Sequence, residues 1–68
     1  MRLSDVLERF KLTEEDLLFL ETWGDEVKVK GNEVKTNSFI LEHLSSKVLG
    51  IEIYSGSGLE ITVSIESA

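Results

Sequence analysis

The 68-residue chain contains no cysteine, no proline and no glutamine. Without cysteine it cannot form a disulfide, a thiolate metal site or a cysteine nucleophile. No apolar run approaches the ~18 residues of a membrane-spanning helix, and the N-terminus lacks the apolar segment of a secretory signal. We therefore expect a cytoplasmic protein. The lack of cysteine and glutamine is also a composition that thermophilic proteins favour.

Enough apolar residues are present for a folded core, since hydrophobic residues make up 41% of the chain and charged residues 29%. The length predicts one small domain over residues 1–68. A domain of this size buries only ~60% of the surface that its unfolded chain exposes. With no disulfide and no evident metal ligands, we expect it to be stabilised by a well-filled core or by association, for example as a homodimer.

Charge is distributed unevenly along the sequence. The formal net charge is −6, yet residues 27–36 carry three lysines and one glutamate, so a basic segment lies within an acidic protein. The acidic remainder has two interpretations. It can serve solubility alone, or it can dock on a basic protein partner with salt-dependent association.

Two helices are predicted at the N-terminus. Ser4 is a suitable N-cap for the first, whose apolar residues recur at helical spacing between residues 3 and 10. The second is expected from about residue 14 to 23. Thr13 is its N-cap, Asp16 is at the capping-box position, and Gly24 is its C-terminal stop.

The second helix has more apolar residues than one face can hold. Phe19, Leu20 and Trp23 share an arc with Leu17, whereas Leu18 projects from the other side. Leu18 is either an ordinary exposed leucine or part of a contact surface. The candidate partner contact on this helix comprises Leu18, Glu14, Glu21 and Trp23.

A first hairpin is predicted from residues 27–30 and 33–36, joined by a two-residue turn at Gly31 and Asn32. This pairing sets Val29 opposite Val34. Its lysines have three interpretations: ion pairs with the Glu-rich second hairpin, protection of an edge strand, or contact with nucleic acid. The candidate nucleic-acid residues are Lys28, Lys30 and Lys35. The net charge opposes long-range attraction to a polyanion, so the sequence argues against nucleic acid as a partner.

A third helix is predicted over residues 38–48, with Asn37 or Ser38 as its cap and Gly50 as its stop. A second hairpin follows. Its alternating pattern favours a three-residue turn at residues 56–58, with Ile53 opposite Ile61 and Gly58 in the left-handed conformation. An engineered linker would have the same Ser-Gly-Ser-Gly composition.

The predicted order is two helices, a hairpin, a helix and a hairpin (ααββαββ). Because the strands are apolar on one face, this order indicates an α+β fold, with an antiparallel sheet and helices packed on one face.

No catalytic, cofactor or metal site is predicted. His43 is the only histidine, and neighbouring Glu42 and Ser45 on a helix do not converge on it. The glycines do not form a phosphate-binding loop, since Ser55-Gly56-Ser57-Gly58 joins two strands and no lysine follows. We therefore expect a protein that is not an enzyme. The leading hypothesis is a small acidic interaction module, a regulator or inhibitor that binds a protein partner. The alternative is a nucleic-acid-associated regulator.

Overall fold

The computed structural model describes residues 1–66. Helix α1, Leu3–Arg9, precedes strands β1, Leu17–Thr22, and β2, Asp25–Lys30. A 3₁₀ turn, Gly31–Glu33, and helix α2, Ser38–Glu42, lead to strands β3, Val48–Ser55, and β4, Leu59–Ile65. The α+β class is confirmed, but only one helix precedes the first strand, so the predicted order with two N-terminal helices is wrong.

The four strands form one mixed sheet in the order β2-β1-β4-β3. Both hairpins are antiparallel, while the two central strands, β1 and β4, run parallel, with Leu18 beside Ile61. The expectation of a wholly antiparallel sheet is therefore wrong at its centre. A parallel pair requires a long connection, and here the chain from β2 through α2 and β3 provides it.

The hydrophobic core lies between one face of the sheet and the two helices. Alternate residues of the central strands point into it, as expected for the two-residue period of a strand. The buried residues are Leu3, Val6, Leu18, Leu20, Val29, Val34, Ile40, Ile61, Val63 and Ile65. The opposite face of the sheet, the outer face, carries the intervening residues, such as Phe19 and Thr62.

The segment predicted as the second helix is strand β1. Its alternate residues Leu18 and Leu20 are fully buried, and Leu17 and Phe19 are half-buried on the outer face. Strand β1 has apolar residues on both faces, with Leu17 and Phe19 half-buried, so they form a continuous run that resembles a helical segment. Thr13 and Asp16, whose spacing predicted a helix cap, form only a local turn, in which the Asp16 carboxylate accepts the N–H of Thr13 at 2.7 Å.

The first hairpin also differs from the prediction. Strand β2 pairs with β1 through a two-residue turn at Trp23 and Gly24, and Gly24 has the left-handed φ of 97°. Gly31 and Asn32 begin the 3₁₀ turn instead, and Val34 enters the core without pairing with Val29. Gly24 is thus the turn glycine of a hairpin and does not end a helix.

The third helix is shorter than predicted. Asn37 caps α2 as expected, since its Oδ1 accepts the N–H of Ile40 at 3.2 Å, but the helix ends at Glu42. The carbonyls of Leu44 and Ser46 accept the first N–H groups of α1. The chain after α2 therefore caps the N-terminal helix, whose N-cap residue is Arg2, so the prediction of Ser4 as the N-cap is wrong. Gly50 lies within β3 and does not stop a helix.

The second hairpin is confirmed in register. Ser55 pairs with Leu59 across the three-residue loop, which sets Ile53 opposite Ile61 and Ile51 opposite Val63. The predicted conformation of Gly58 is wrong, because Gly24 has the only positive φ among residues 1–66. Gly58 is needed for a close approach, since a Cβ there would overlap the carbonyl of Glu15.

Candidate protein-docking surface

The structure separates the four residues that the sequence offered as a partner contact. Leu18 is fully buried, so its assignment to a contact surface is wrong. Glu14 lies in the turn before β1, at the opposite end of that strand from Trp23. Trp23 is 92% exposed. Only Trp23 and Glu21 lie together.

Trp23 and Glu21 line a shallow depression of about 370 Å³ at one end of the sheet. Its other lining residues are Thr22, Leu49, Ser64, Ile65 and Glu66. The depression forms here because β1 and β4 are parallel, so their C-terminal ends meet at the same edge, beside the first residues of β3. The core residue Ile65 lies at this edge.

The tight turn places Trp23 in solvent. Thr22 and Asp25 are the last paired residues of β1 and β2, so only Trp23 and Gly24 remain to reverse the chain. A two-residue hairpin loop has a backbone of few allowed conformations. The indole is therefore presented on a fixed backbone at the tip of the hairpin.

Leu49 is the second apolar residue of the surface, and the sequence interpretation missed it. It is 63% exposed and lies where the register of β3 with β4 shifts, between Val48 and Gly50. A β-bulge re-aims the side chain of the extra residue, and here Leu49 reaches the depression. An isolated glycine within a strand pattern is the usual signal of a bulge, and Gly50 provides it.

The charges around the depression are acidic. Glu21 and Glu66 line it, and within residues 1–66 no basic side chain does so. The Glu21 Oε2 atom accepts the Ser64 hydroxyl at 3.3 Å, which orients this carboxylate across β1 and β4. Asp25 and Glu26 follow Trp23 on β2. We call Trp23, Leu49, Glu21 and Glu66 the Trp23 surface.

The three candidate nucleic-acid lysines do not share a hairpin. Lys28 and Lys30 lie on the outer face of β2, whereas Lys35 lines a separate groove of about 760 Å³ between α1 and α2, with Lys11. Strands β2 and β3 lie at opposite edges of the sheet. Pairing of the lysine strand with the Glu-bearing edge of the second hairpin is therefore excluded by the topology.

His43 has a local structural contact. Its Nδ1 atom lies 2.7 Å from the carbonyl oxygen of Phe39, and its ring stacks on the Phe39 ring with centroids 4.4 Å apart. Because a carbonyl can only accept, Nδ1 carries the hydrogen and donates it. No group of three or more histidine, aspartate or glutamate side chains that could hold a metal ion occurs in the described part of the chain.

Searches of family models, of curated proteins and of solved structures find no match to this chain. Among residues 1–66, neither helix has the length or the apolar composition to cross a membrane.

Proposed function

We propose that this protein is a small acidic interaction module of the cytoplasm, which self-associates and regulates or inhibits a protein partner by binding it through the Trp23 surface. One observation carries the proposal: the single tryptophan of the chain is 92% exposed, beside a leucine that is 63% exposed. Tryptophan is enriched among the residues that dominate binding energy at protein interfaces. Docking would remove both apolar side chains from water.

The charge around Trp23 supports a basic partner. The indole and Leu49 provide the apolar centre, while Glu21 and Glu66 provide a polar rim, which is the usual arrangement of an interface. Complementary charge accelerates association, and its contribution falls with ionic strength. We therefore expect a partner with lysine or arginine side chains around an apolar pocket.

Binding without catalysis is part of the proposal. It is supported by the local engagement of the only histidine with Phe39. A general base needs a reacting proton within reach and an orienting group. The Phe39 carbonyl orients the His43 ring, but among residues 1–66 it is the only hydrogen-bond partner of that ring, so no nucleophile or acidic side chain is paired with it.

The test compares three immobilised chains: the wild type, Trp23→Ser, and Leu41→Ser as a control. Leu41 is 48% exposed on α2 and is not part of the Trp23 surface, so the control replaces an exposed apolar side chain elsewhere with serine. Nuclease-treated native extract is passed over each at low and at high salt. We expect at least one protein to be retained by the wild type and by Leu41→Ser but not by Trp23→Ser. High salt should elute that protein.

A retained protein is then purified and titrated against the wild-type chain. Its binding is followed by the change in tryptophan fluorescence on mixing with the wild type, measured against the same mixture with Trp23→Ser, because Trp23 is the only tryptophan of the chain and the partner's own tryptophans contribute equally to both. Identical retention by Trp23→Ser would contradict the proposal. So would a parallel run with untreated extract that recovers nucleic acid alone, with no protein partner.

A further inference from the structure

The two edges of the sheet differ in how they are protected. Four of the six residues of β2 are charged, namely Asp25, Glu26, Lys28 and Lys30. Charged side chains along an edge strand hinder pairing with another strand. Strand β3, at the other edge, has eight residues and a single charge, on Glu52. Its exposed large side chains are Leu49, Ile53 and Tyr54.

We propose that two copies of the chain associate through β3, antiparallel about a two-fold axis at Ile53, and so form a continuous eight-stranded sheet. This inference rests on the self-association in the proposed function and assigns it to a defined edge. The Trp23 surface is not part of the paired segment and remains available to a partner.

Symmetry limits the register of such a pairing. In a symmetric antiparallel pair with the two-fold axis perpendicular to the sheet, the centre is one residue opposite its own copy, and opposite residues share a face. A centre at Glu52 sets two carboxylates directly opposite, which is destabilising. A centre at Ile51 brings the shifted region between Val48 and Gly50 into the ladder. A centre at Ile53 uses only the regular part of β3.

The Ile53 register also sets compatible side chains opposite each other on both faces of the sheet. It sets Glu52 opposite Tyr54 of the second copy. These two side chains are compatible, since within one chain the Tyr54 hydroxyl already donates to Glu52 Oε2 at 2.8 Å. No like charges face each other. On the core face, the row Val29, Leu18, Ile61, Ile53 continues into the same row of the second copy, which covers the half-exposed Ile53.

Salt dependence separates this association from partner binding. Each chain carries a net charge of −6, so two copies repel each other at long range and salt weakens that repulsion. We therefore expect added salt to strengthen the dimer. The same salt weakens docking of the acidic Trp23 surface on a basic partner.

Sedimentation equilibrium from micromolar to submillimolar concentration tests the dimer itself. We expect concentration-dependent dimerisation of the wild type and of Trp23→Ser. Ile53→Lys should weaken it about tenfold or more, because two lysines then lie opposite each other. Leu41→Lys is the matched control, since Leu41 is 48% exposed and Ile53 is 50% exposed. Far-UV circular dichroism at low concentration checks that both variants fold.

Single-cysteine variants test the register, because the chain has no cysteine of its own. In the proposed dimer the two Ile53 Cα atoms lie about 4.5–5.5 Å apart, within disulfide range. Each Ile51 is opposite Ser55 of the second copy, which lies four residues from the Ile51 of that copy. The two Ile51 Cα atoms are therefore offset by about 13 Å along the strands. Under mild oxidation, Ile53→Cys should cross-link much faster than Ile51→Cys and the collision control Leu41→Cys.

A monomeric wild type at every concentration would overturn the proposal. Cross-linking of Ile53→Cys no faster than that of Leu41→Cys, or slower than that of Ile51→Cys, would overturn the register. A dimer lost in Trp23→Ser but kept in Ile53→Lys would show that the second copy occupies the Trp23 surface. Partner binding without dimerisation would reject this edge pairing and leave the docking surface intact.

Discussion

The carboxylate of Asp16 joins the turn before β1 to the first residue of β4, because its Oδ1 atom accepts the N–H of Leu59 at 3.0 Å. Its Oδ2 atom accepts the N–H and the hydroxyl of Thr13. Asp16 and Leu59 lie directly before the first parallel residue pair, in which Leu17 is beside Glu60. One side chain thus connects residues 43 positions apart and fixes the start of the central pair.

Acid should weaken the fold partly through Asp16. Hydrogen bonds from the backbone of Thr13 and of Leu59 lower the pKa of Asp16 below its usual 3.8. The folded-state pKa is therefore below the unfolded-state value. The stabilisation is fully present above that value and is lost as the pH falls through the folded-state pKa. Urea unfolding of Asp16→Asn should show a lower midpoint at neutral pH and a smaller loss below pH ~4. Glu14→Gln, in the same turn, should resemble the wild type.

Gly31 should not tolerate a side chain. A Cβ there would overlap the carbonyl of Thr13 and lie 2.8 Å from the Leu12 Cβ. Because backbone must move to relieve the overlap, Gly31→Ala should lower the free energy of unfolding by about 1–3 kcal/mol. Gly56→Ala is the control, since a Cβ at Gly56 meets nothing within 4 Å. Equal stability of the two variants by urea unfolding would contradict the close approach.

Leu18 should be essential to the core. It is fully buried between its neighbours Val29 and Ile61, so Leu18→Ala should cost about 2–5 kcal/mol of unfolding free energy. Leu41→Ala, at an exposed position of α2, should cost less than about 0.5 kcal/mol. Thermal and urea unfolding measure both. Equal stability of Leu18→Ala and Leu41→Ala would contradict the burial of Leu18 and would favour the predicted helix, from which Leu18 projects.

Trp23 should report full exposure to water. The emission maximum of Trp23 in the native monomer should resemble that of free tryptophan in water. Acrylamide should quench this emission as readily as it quenches that of the chain unfolded in urea. Trp23→Ser should change the free energy of unfolding by less than about 0.5 kcal/mol, because the indole makes little contact with the core. A blue-shifted emission from a dilute sample would show that the indole is shielded from water and would contradict its exposure.

The second hairpin was predictable because its information is local. Its apolar residues alternate along both strands, and only a loop with an odd number of residues sets them on one face. The structure has this register, with Ile53 opposite Ile61. The segment 17–22 was not predictable in the same way. Its pattern of consecutive apolar residues is compatible with a helix, and the capping signals at Thr13 and Asp16 favour one.

The candidate site was predictable only in part. The sequence singled out Trp23 and Glu21 as candidate partner contacts on a predicted helix, and the structure brings them together for another reason, at the end of a hairpin. Leu49 was missed because its exposure depends on the register shift of β3 against β4. Nothing local to Leu49 reveals which strand it meets.

The sequence by itself determined the α+β class, the register of the second hairpin, a helix cap at Asn37 or Ser38 and the acidic balance, since each depends on composition or on neighbouring residues. The tertiary structure decided that residues 17–22 form a central strand. Burial between β2 and β4 favours the extended chain there, because Leu18 and Leu20 then fill the core while Leu17 and Phe19 lie on the other face. Because residues 17–22 form a strand, Leu18 lies in the core, and Trp23 lies in solvent at the turn that follows.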